Sequence, residues 1–313
     1  MENVIFLQPH FTHNVWGGTR LRKDFGYNVP GSDIGECWGI AAHPNGESTV
    51  VGGEFDGMRL SELYETHREL FGNCRSRQFP LLVKIIDAND DLSIQVHPSD
   101  LYAIEHENGS CGKTECWYII DCPDNASLVV GHNASSRDEM KKMIEQGRWD
   151  EFLRKLPIKK GDFIQINPGT VHAITAGCLI LETQQNSDIT YRVYDYERLT
   201  DGKPRPLHIR KSMEVITVPD YPVGVGIVHG KTPGKSERLR LIENNYYKVF
   251  RLNVEEELIF TPDPPFTNMS VIEGQGKING TNVHKGAHFI VTAGCERVEL
   301  TGNMLIIASV PVQ

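Results

Sequence analysis

The run Leu92-Ser93-Ile94-Gln95-Val96-His97-Pro98 alternates apolar and polar residues without a break. A period of two predicts a β-strand with one buried apolar face. The opposite face then projects Ser93, Gln95 and His97 in one direction. An amide oxygen and an imidazole two residues apart on one strand face are both metal-ligand types. A solvated strand face more often carries Lys, Glu and Thr, so the pair gains meaning only beside further ligand candidates downstream. Glu115 opens the strand-like run Glu115-Cys116-Trp117-Tyr118-Ile119-Ile120, with Lys113 on the same face. Asn167-Pro168-Gly169-Thr170-Val171-His172 is a Pro-Gly turn that delivers a histidine at the head of another strand. Each histidine taken singly is more often structural than ligating. As a set, Gln95, His97, Glu115 and His172 offer an amide oxygen, two imidazoles and a carboxylate. Around a divalent ion they leave a net single positive charge, and zinc suits them, with a position open for water or substrate.

The elements that must position these residues are mostly short strands. Pro80-Leu81-Leu82-Val83-Lys84-Ile85-Ile86 and Leu179-Ile180-Leu181-Glu182-Thr183 join the strand-like runs already named, divided by Gly, Pro, Asn and Asp. Such spacing predicts an antiparallel barrel or sandwich. Helical spacing breaks the pattern near residues 60–71, where Leu60, Leu63, Tyr64, His67 and Leu70 precede Gly72, and again near 135–155. The second segment opens with the capping signal Ser136-x-x-Glu139 and puts Met140, Met143 and Ile144 on one face. Helices set between barrel strands are expected to cover an open end.

The texture changes near Ser212. Val218-Pro219-Asp220-Tyr221-Pro222 reads as a linker, and the stretch to Pro233-Gly234 is rich in Gly. A further strand series comes next, with Gly turns at Glu273–Gly276 and Asn279-Gly280. Residues 218–313 are therefore expected to form a smaller β-barrel without a metal site, beside a catalytic domain of residues 1–217. Gly286-Ala287-His288-Phe289-Ile290-Val291 loosely echoes Gly161-Asp162-Phe163-Ile164-Gln165-Ile166, as a duplicated barrel would.

The 313 residues suffice for a sizeable core, and no low-complexity tract points to disorder. A formal charge of −9 argues against non-specific nucleic-acid binding. It leaves room for a phosphorylated substrate, because one phosphate needs only two or three local cations. Lys84, Lys113, Arg192 and Arg198 all fall in the motif-bearing region. No apolar run is long enough to span a membrane, and the first residues lack a signal-peptide pattern. Seven cysteines at irregular spacing favour a reducing cytoplasm. Cys111, Cys116 and Cys122 match no zinc-finger spacing and read as small fillers. No obligate protein partner is evident.

Leu-Ser-Ile-Gln-Val-His-Pro, followed by Lys113-Thr114-Glu115, resembles the type I phosphomannose isomerases. The order of ligands resembles the metal site of the cupin superfamily, with Gln95 in place of the usual first histidine, as in those isomerases. Val15-Trp16-Gly17-Gly18, Glu36-Cys37-Trp38 and Ala42-His43-Pro44 are similar to the family's N-terminal signatures. Glu182 and Arg192, ten residues apart with Ser187-Asp188 between them, resemble its catalytic segment. The matches run from Trp16 to about Ile216, and the short chain looks like the compact bacterial branch. The resemblance implies a mainly β protein of two cupin-type (jelly-roll) barrels, with a few short helices covering the first. It further implies one Zn²⁺ per chain and interconversion of mannose 6-phosphate and fructose 6-phosphate through an enediolate.

In that chemistry Arg192 would stabilise the oxyanion and Glu182 would carry the proton, with Lys113 as second candidate. Ser93, Lys84 and Lys113 would hold substrate. Arg198 stands six residues after Arg192, where the family often has a lysine that contacts phosphate, and a surface ion pair is the plainer reading of Arg198. Two other readings compete: an iron(II) cupin such as a dioxygenase, and a non-enzymatic sugar-phosphate sensor. Gln95 weighs against the first by occupying a position that oxygen chemistry needs open. Intact ligands and the lack of a helix-turn-helix pattern weigh against the second.

Overall fold

The computed structural model describes residues 3–29, 31–200, 202–220, 227–228 and 234–313. Three antiparallel sheets are stacked. The middle one has seven strands, in the order Ile227–Val228, Phe163–Ile166, Glu115–Asp121, Leu179–Gln185, Leu81–Asp87, Ile34–Ile40 and His10–Gly18. On one face it meets a five-stranded sheet ordered Leu153–Pro157, Ser127–His132, His172–Ala173, Ile94–Val96 and Tyr191–Tyr194. Trp16, Ile86, Trp117, Ile164 and Ile180 from the first sheet pack with Leu128 and Val130 of the second. On the other face Val83, Ile85, Cys116, Tyr118 and Leu181 pack against Tyr247, Val249, Ile272, Ile290 and Ile307. Those residues belong to the third sheet, of eight strands, which carries the C-terminal third of the chain.

Burial on both faces explains why Leu81–Ile86 and Leu179–Leu181 read as apolar runs rather than alternating ones. Lys84 and Glu182, buried polar residues of these two strands, sit opposite one another in the strand register and face the five-stranded sheet side.

The mainly β, cupin-type architecture expected from the sequence is present, with one correction: the sheets are open rather than closed barrels. Among the described residues, His10–Gly18 and Leu153–Pro157 each pair with a single neighbour, so neither sheet closes. The helices also differ in place. Arg137–Glu145 and Trp149–Phe152 lie on the outer face of the five-stranded sheet, against Ile94, Val96, Val129 and Tyr191, not across an open end. That outer face is apolar and has to be covered. Ser136 caps the first of them by accepting from the Glu139 amide at 3.2 Å. Leu60–Thr66 and the 3₁₀ turn Arg68–Phe71 fill the other expected helical segment. The expected linker from Val218 lies in large part outside the described residues, which omit 221–226 and 229–233.

The third sheet is not built from the C-terminal third alone. Val4–Gln8 pairs with His288–Val291 on one side and with Thr49–Val51 on the other. A buried polar cluster marks where this sheet meets the middle one. Ser270 Oγ lies 2.8 Å from His288 Nδ1, and His288 Nε2 lies 2.8 Å from the Tyr27 hydroxyl, which donates to the Gly286 carbonyl at 2.8 Å. The Tyr27 proton is committed to that carbonyl, so His288 Nε2 carries a proton and Nδ1 accepts from Ser270. Gly39 lies flat against this ring, where any Cβ would overlap it.

Burial pushes the His288 imidazole down to about 3 from an ordinary 6.5. The unfolded chain takes up this proton near pH 6.5, whereas the folded chain refuses it until about pH 3. Stability from this group is therefore complete above pH 6.5 and declines as pH falls through that window. Denaturant titrations between pH 6 and pH 4 should show His288→Gln losing up to about 1.4 kcal/mol per pH unit of the wild-type slope. An unchanged slope would show that His288 protonates without unfolding.

Candidate active site

The Ile94–Val96 strand pairs with His172–Ala173 so that His172 stands opposite Gln95, and with Tyr191–Tyr194 so that Arg192 does too. Glu115 opens the facing sheet's strand. These placements converge His97, Glu115 and His172, whose ligand atoms all lie within 4.8 Å of one another. The two Nε2 atoms are 3.2 Å apart, and Glu115 Oε2 and Oε1 lie 3.4 and 3.3 Å from His97 and His172 respectively. All three side chains are buried.

The opposite ring nitrogens settle the tautomers. His97 Nδ1 donates to the Ile189 carbonyl at 2.7 Å and His172 Nδ1 to the Thr170 carbonyl at 2.9 Å. A carbonyl only accepts, so both Nδ1 atoms are protonated and both Nε2 lone pairs face the carboxylate. Backbone carbonyls that orient ligand histidines in this way are the usual outer support of a metal site. Burial, and the Lys113 charge at His97, hold both imidazoles below their ordinary range, His97 at about 3. Burial would raise the Glu115 carboxyl, but the adjacent Lys113 ammonium outweighs it and holds it well below its usual range. Glu115 Oε1 makes no hydrogen bond. Two lone pairs and a buried carboxylate oxygen with no donor between them fit a divalent cation and little else. Gln95 borders the group: its amide nitrogen is 3.3 Å from His172 Nε2, and Ser93 Oγ donates to its oxygen at 3.5 Å. An amide flip would aim that oxygen at the cluster.

A chain of buried charges leads away from this point. Lys113 Nζ is 2.9 Å from Glu115 and 3.5 Å from Glu182; Lys84 Nζ is 3.1 Å from Glu182 and 3.0 Å from Glu36. Indole N–H groups hold the free carboxylate oxygens: Trp117 donates to Glu182 at 2.8 Å and Trp38 to Glu36 at 2.9 Å. Burial would lower the Lys84 ammonium, but Glu182 and Glu36 reverse this and raise it. Glu36, Lys84, Ser93, Gln95, Lys113, Glu182 and Arg192 all line one cleft of about 750 Å³, its mouth included. Arg192 is half-buried, and its guanidinium makes no hydrogen bond or ion pair with any described residue.

Two profiles match the chain: phosphomannose isomerase type I, catalytic domain, over residues 4–110, and mannose-6-phosphate isomerase, cupin domain, over residues 237–311. Mannose-6-phosphate isomerase ManA of Bacillus subtilis is 49% identical over 310 residues, covering 97% of this chain and 98% of the relative. The chain belongs to the type I phosphomannose isomerase family. It is an isomerase. Mannose-6-phosphate isomerase of Streptococcus mutans is 44% identical over 99% of this chain and 98% of its own length. The crystal structure of the Bacillus subtilis mannose 6-phosphate isomerase superposes with a TM-score of 0.89 at 43% identity, covering 99% of this chain and all of that one. A mutant phosphomannose isomerase from Salmonella typhimurium shares the fold at 15% identity, with a TM-score of 0.80. Membership of this family takes the isomerase reading over a dioxygenase or a sensor.

Of the residues expected from the sequence, all but one border the cleft or its metal-capable group. Arg198 does not line it; its guanidinium donates to Asp195 Oδ1 at 2.7 Å and to the Asp91 carbonyl. Sequence reasoning left Glu36, Trp38 and Trp117 without roles, although Glu36-Cys37-Trp38 lay in a family signature. It missed Arg205 altogether, which lines the cleft and carried no local motif.

Lys84 separates two buried carboxylates. Lys84→Met leaves Glu36 without a cation and Glu182 with Lys113 alone, and removing one partner of a buried pair costs about 3–5 kcal/mol. Chemical denaturation should register a loss of that order. A loss below about 1 kcal/mol would mean that the carboxylates reach solvent or a proton when Lys84 is gone.

Proposed function

We propose that this chain interconverts mannose 6-phosphate and fructose 6-phosphate, with zinc as the ion held by Gln95, His97, Glu115 and His172. The observation that carries the reading is the pairing of two imidazole lone pairs and an undonated carboxylate oxygen with an unpaired arginine in the same cleft. Exchange of an aldose for a ketose needs three things: a carrier for the proton that moves from C2 to C1, charge stabilisation on the two oxygens, and an anchor for the phosphate. Zinc, when bound, supplies Lewis-acid polarisation of the sugar oxygens.

The chain's own groups divide the remaining work. Glu182 is the proton carrier: Trp117 donates to its Oε2, while Oε1, which Lys84 and Lys113 approach at 3.1 and 3.5 Å, receives the C2 proton and returns it at C1. Lys113, 3.5 Å away, is the second candidate. Arg192, a permanent cation with no counter-charge bonded to it among the described residues, stabilises the enediolate oxygens as charge develops. Ser93, Lys84 and Lys113 hold sugar hydroxyls. Arg198 adds charge from behind Asp195. The −9 net charge and the lack, among the described residues, of any helix long and apolar enough to cross a membrane accord with a small-molecule enzyme of the cytoplasm.

A coupled assay for fructose 6-phosphate formed from mannose 6-phosphate tests the reading. Activity should disappear on dialysis against a chelator and return with added zinc. If the zinc-loaded protein is inert, the mannose assignment fails. Arg192→Ala should lower kcat by two or more orders of magnitude, as the loss of a group acting on the oxyanion does, at unchanged zinc content. Turnover near the wild-type level would remove Arg192 from the chemistry.

A further inference from the structure

Beyond Arg192 the chain makes an excursion and returns to where it began. Asp195 directly follows the Tyr191–Tyr194 strand and is buried. Tyr196 and Glu197 come next, with φ of 56° and 57°, and the Arg198 amide donates to the Asp195 carbonyl at 3.0 Å. Two consecutive left-handed residues closed by this bond form a turn that favours Asn-Gly, and here it is built from two residues with large side chains. Leu199–Thr200 then pairs with Lys203–Pro204, and the hairpin delivers Arg205 back to the start. Arg205 Nε donates to Asp195 Oδ2 at 2.7 Å and Nη2 to Oδ1 at 2.5 Å, a two-pronged grip. Arg198 reaches the same carboxylate from the other side. Strained turns persist where surrounding contacts over-determine them, and three guanidinium bonds to Asp195 do so here.

The electrostatics are lopsided. Arg205 and Arg192 line the same cleft, and burial, together with the nearness of Arg205, depresses Arg192 below the ordinary arginine value. Among the described residues Asp195 is the only carboxylate bonded to Arg205, and it is shared with Arg198. Three guanidinium groups therefore gather around one buried carboxylate, and with Asp90 3.8 Å from Arg198 as the only further counter-charge among these contacts, one positive charge is left uncompensated locally. This is the reverse of the Glu36–Lys84–Glu182–Lys113–Glu115 chain, where carboxylates outnumber cations. A cleft with surplus cations around one carboxylate and surplus carboxylates around the metal-capable group suits a ligand with a dianion at one end and hydroxyls at the other.

We propose that Arg205, aimed by Asp195, binds the phosphate dianion of the sugar phosphate, with Arg192 facing it across the cleft. The proposal rests on the sugar-phosphate isomerase reading of this cleft. Asp195 is a positioning residue: it fixes the Arg205 fork so that its remaining N–H donors face the cleft, and it touches no substrate. Arginine suits the role because its planar fork matches phosphate geometry.

Steady-state kinetics with mannose 6-phosphate, together with calorimetric binding of inorganic phosphate, test this in Arg205→Ala, Arg205→Lys and Asp195→Asn. Charge-assisted hydrogen bonds of this kind correspond to roughly ten- to hundredfold in affinity. KM and the phosphate Kd should rise together by that factor in Arg205→Ala, while kcat and zinc content change much less. Arg205→Lys should recover part of the loss, and Asp195→Asn should show a smaller rise of the same kind. Unchanged KM and phosphate affinity in Arg205→Ala would overturn the proposal, as would a collapse of kcat with zinc loss and no change in phosphate Kd. If the wild-type protein failed to turn over mannose 6-phosphate, the isomerase reading would fall by itself. The phosphate Kd of the variants would still decide whether Arg205 holds an anion.

Discussion

Three carboxylates and two ammonium groups lie end to end inside this molecule, and the rest of the site is arranged around that fact. Glu36, Lys84, Glu182, Lys113 and Glu115 alternate in sign over contacts of 2.9 to 3.5 Å. Burying such charges is costly unless each is paired and its remaining atoms are bonded. Internal pairing leaves one negative charge over, at the Glu115 end, where two neutral imidazoles turn their lone pairs inward. A divalent cation there converts a deficit into a single excess positive charge, so the chain of charges itself creates the demand for the ion. The indole N–H groups of Trp38 and Trp117 serve the same balance by occupying carboxylate oxygens that would otherwise be without donors.

The three-layer stack is what keeps this chain dry. The middle sheet carries Glu36, Lys84, Glu115 and Glu182 on strands that are neighbours in hydrogen-bond order, so pairing register fixes the charge contacts. Glu182 stands opposite Lys84 on one side and Trp117 on the other. Slipping any of these strands by one residue would send the charges to the opposite face, into the apolar packing against the third sheet. That third sheet recruits Val4–Gln8 and Thr49–Val51, which flank the His10–Gly18 and Ile34–Ile40 strands in sequence. The beginning of the chain is thereby stitched to its end, with His288, Tyr27 and Ser270 satisfying one another at the seam.

The metal-capable group was legible in the sequence because its members announce themselves locally. Ser93, Gln95 and His97 share a face by strand alternation, Glu115 stands at a strand start, and His172 comes after a Pro-Gly turn. The mainly β class was legible from the same spacing. Sheet closure was not, because whether edge strands meet depends on tilt and register, which no residue type encodes. Helix placement failed for a related reason: the Ser136 signal marks where a helix starts, while the surface it covers is decided by the apolar face of Ile94, Val96 and Tyr191. The N-terminal strand's partner, nearly the whole chain length away, has no local signature at all.

Arg205 shows most clearly what spacing leaves out. The resemblance to a known family pointed six residues past Arg192, to Arg198, and the fold does place that guanidinium close by. Its donors, however, are spent on Asp195 and the Asp91 carbonyl. The hairpin instead returns Arg205 to the cleft, with the same aspartate as its mount. Asp195 and the more distant Asp90 cannot together neutralise Arg198, Arg205 and Arg192. The surplus charge is thus distributed across a loop whose two halves are ten residues apart, and only the closed hairpin shows that they form one electrostatic unit. The cleft is consequently polar in the long-range sense, with cations in excess around Asp195 and carboxylates in excess beside Glu115. A substrate carrying its dianion away from its reacting carbons is oriented by that gradient before any hydroxyl is bonded.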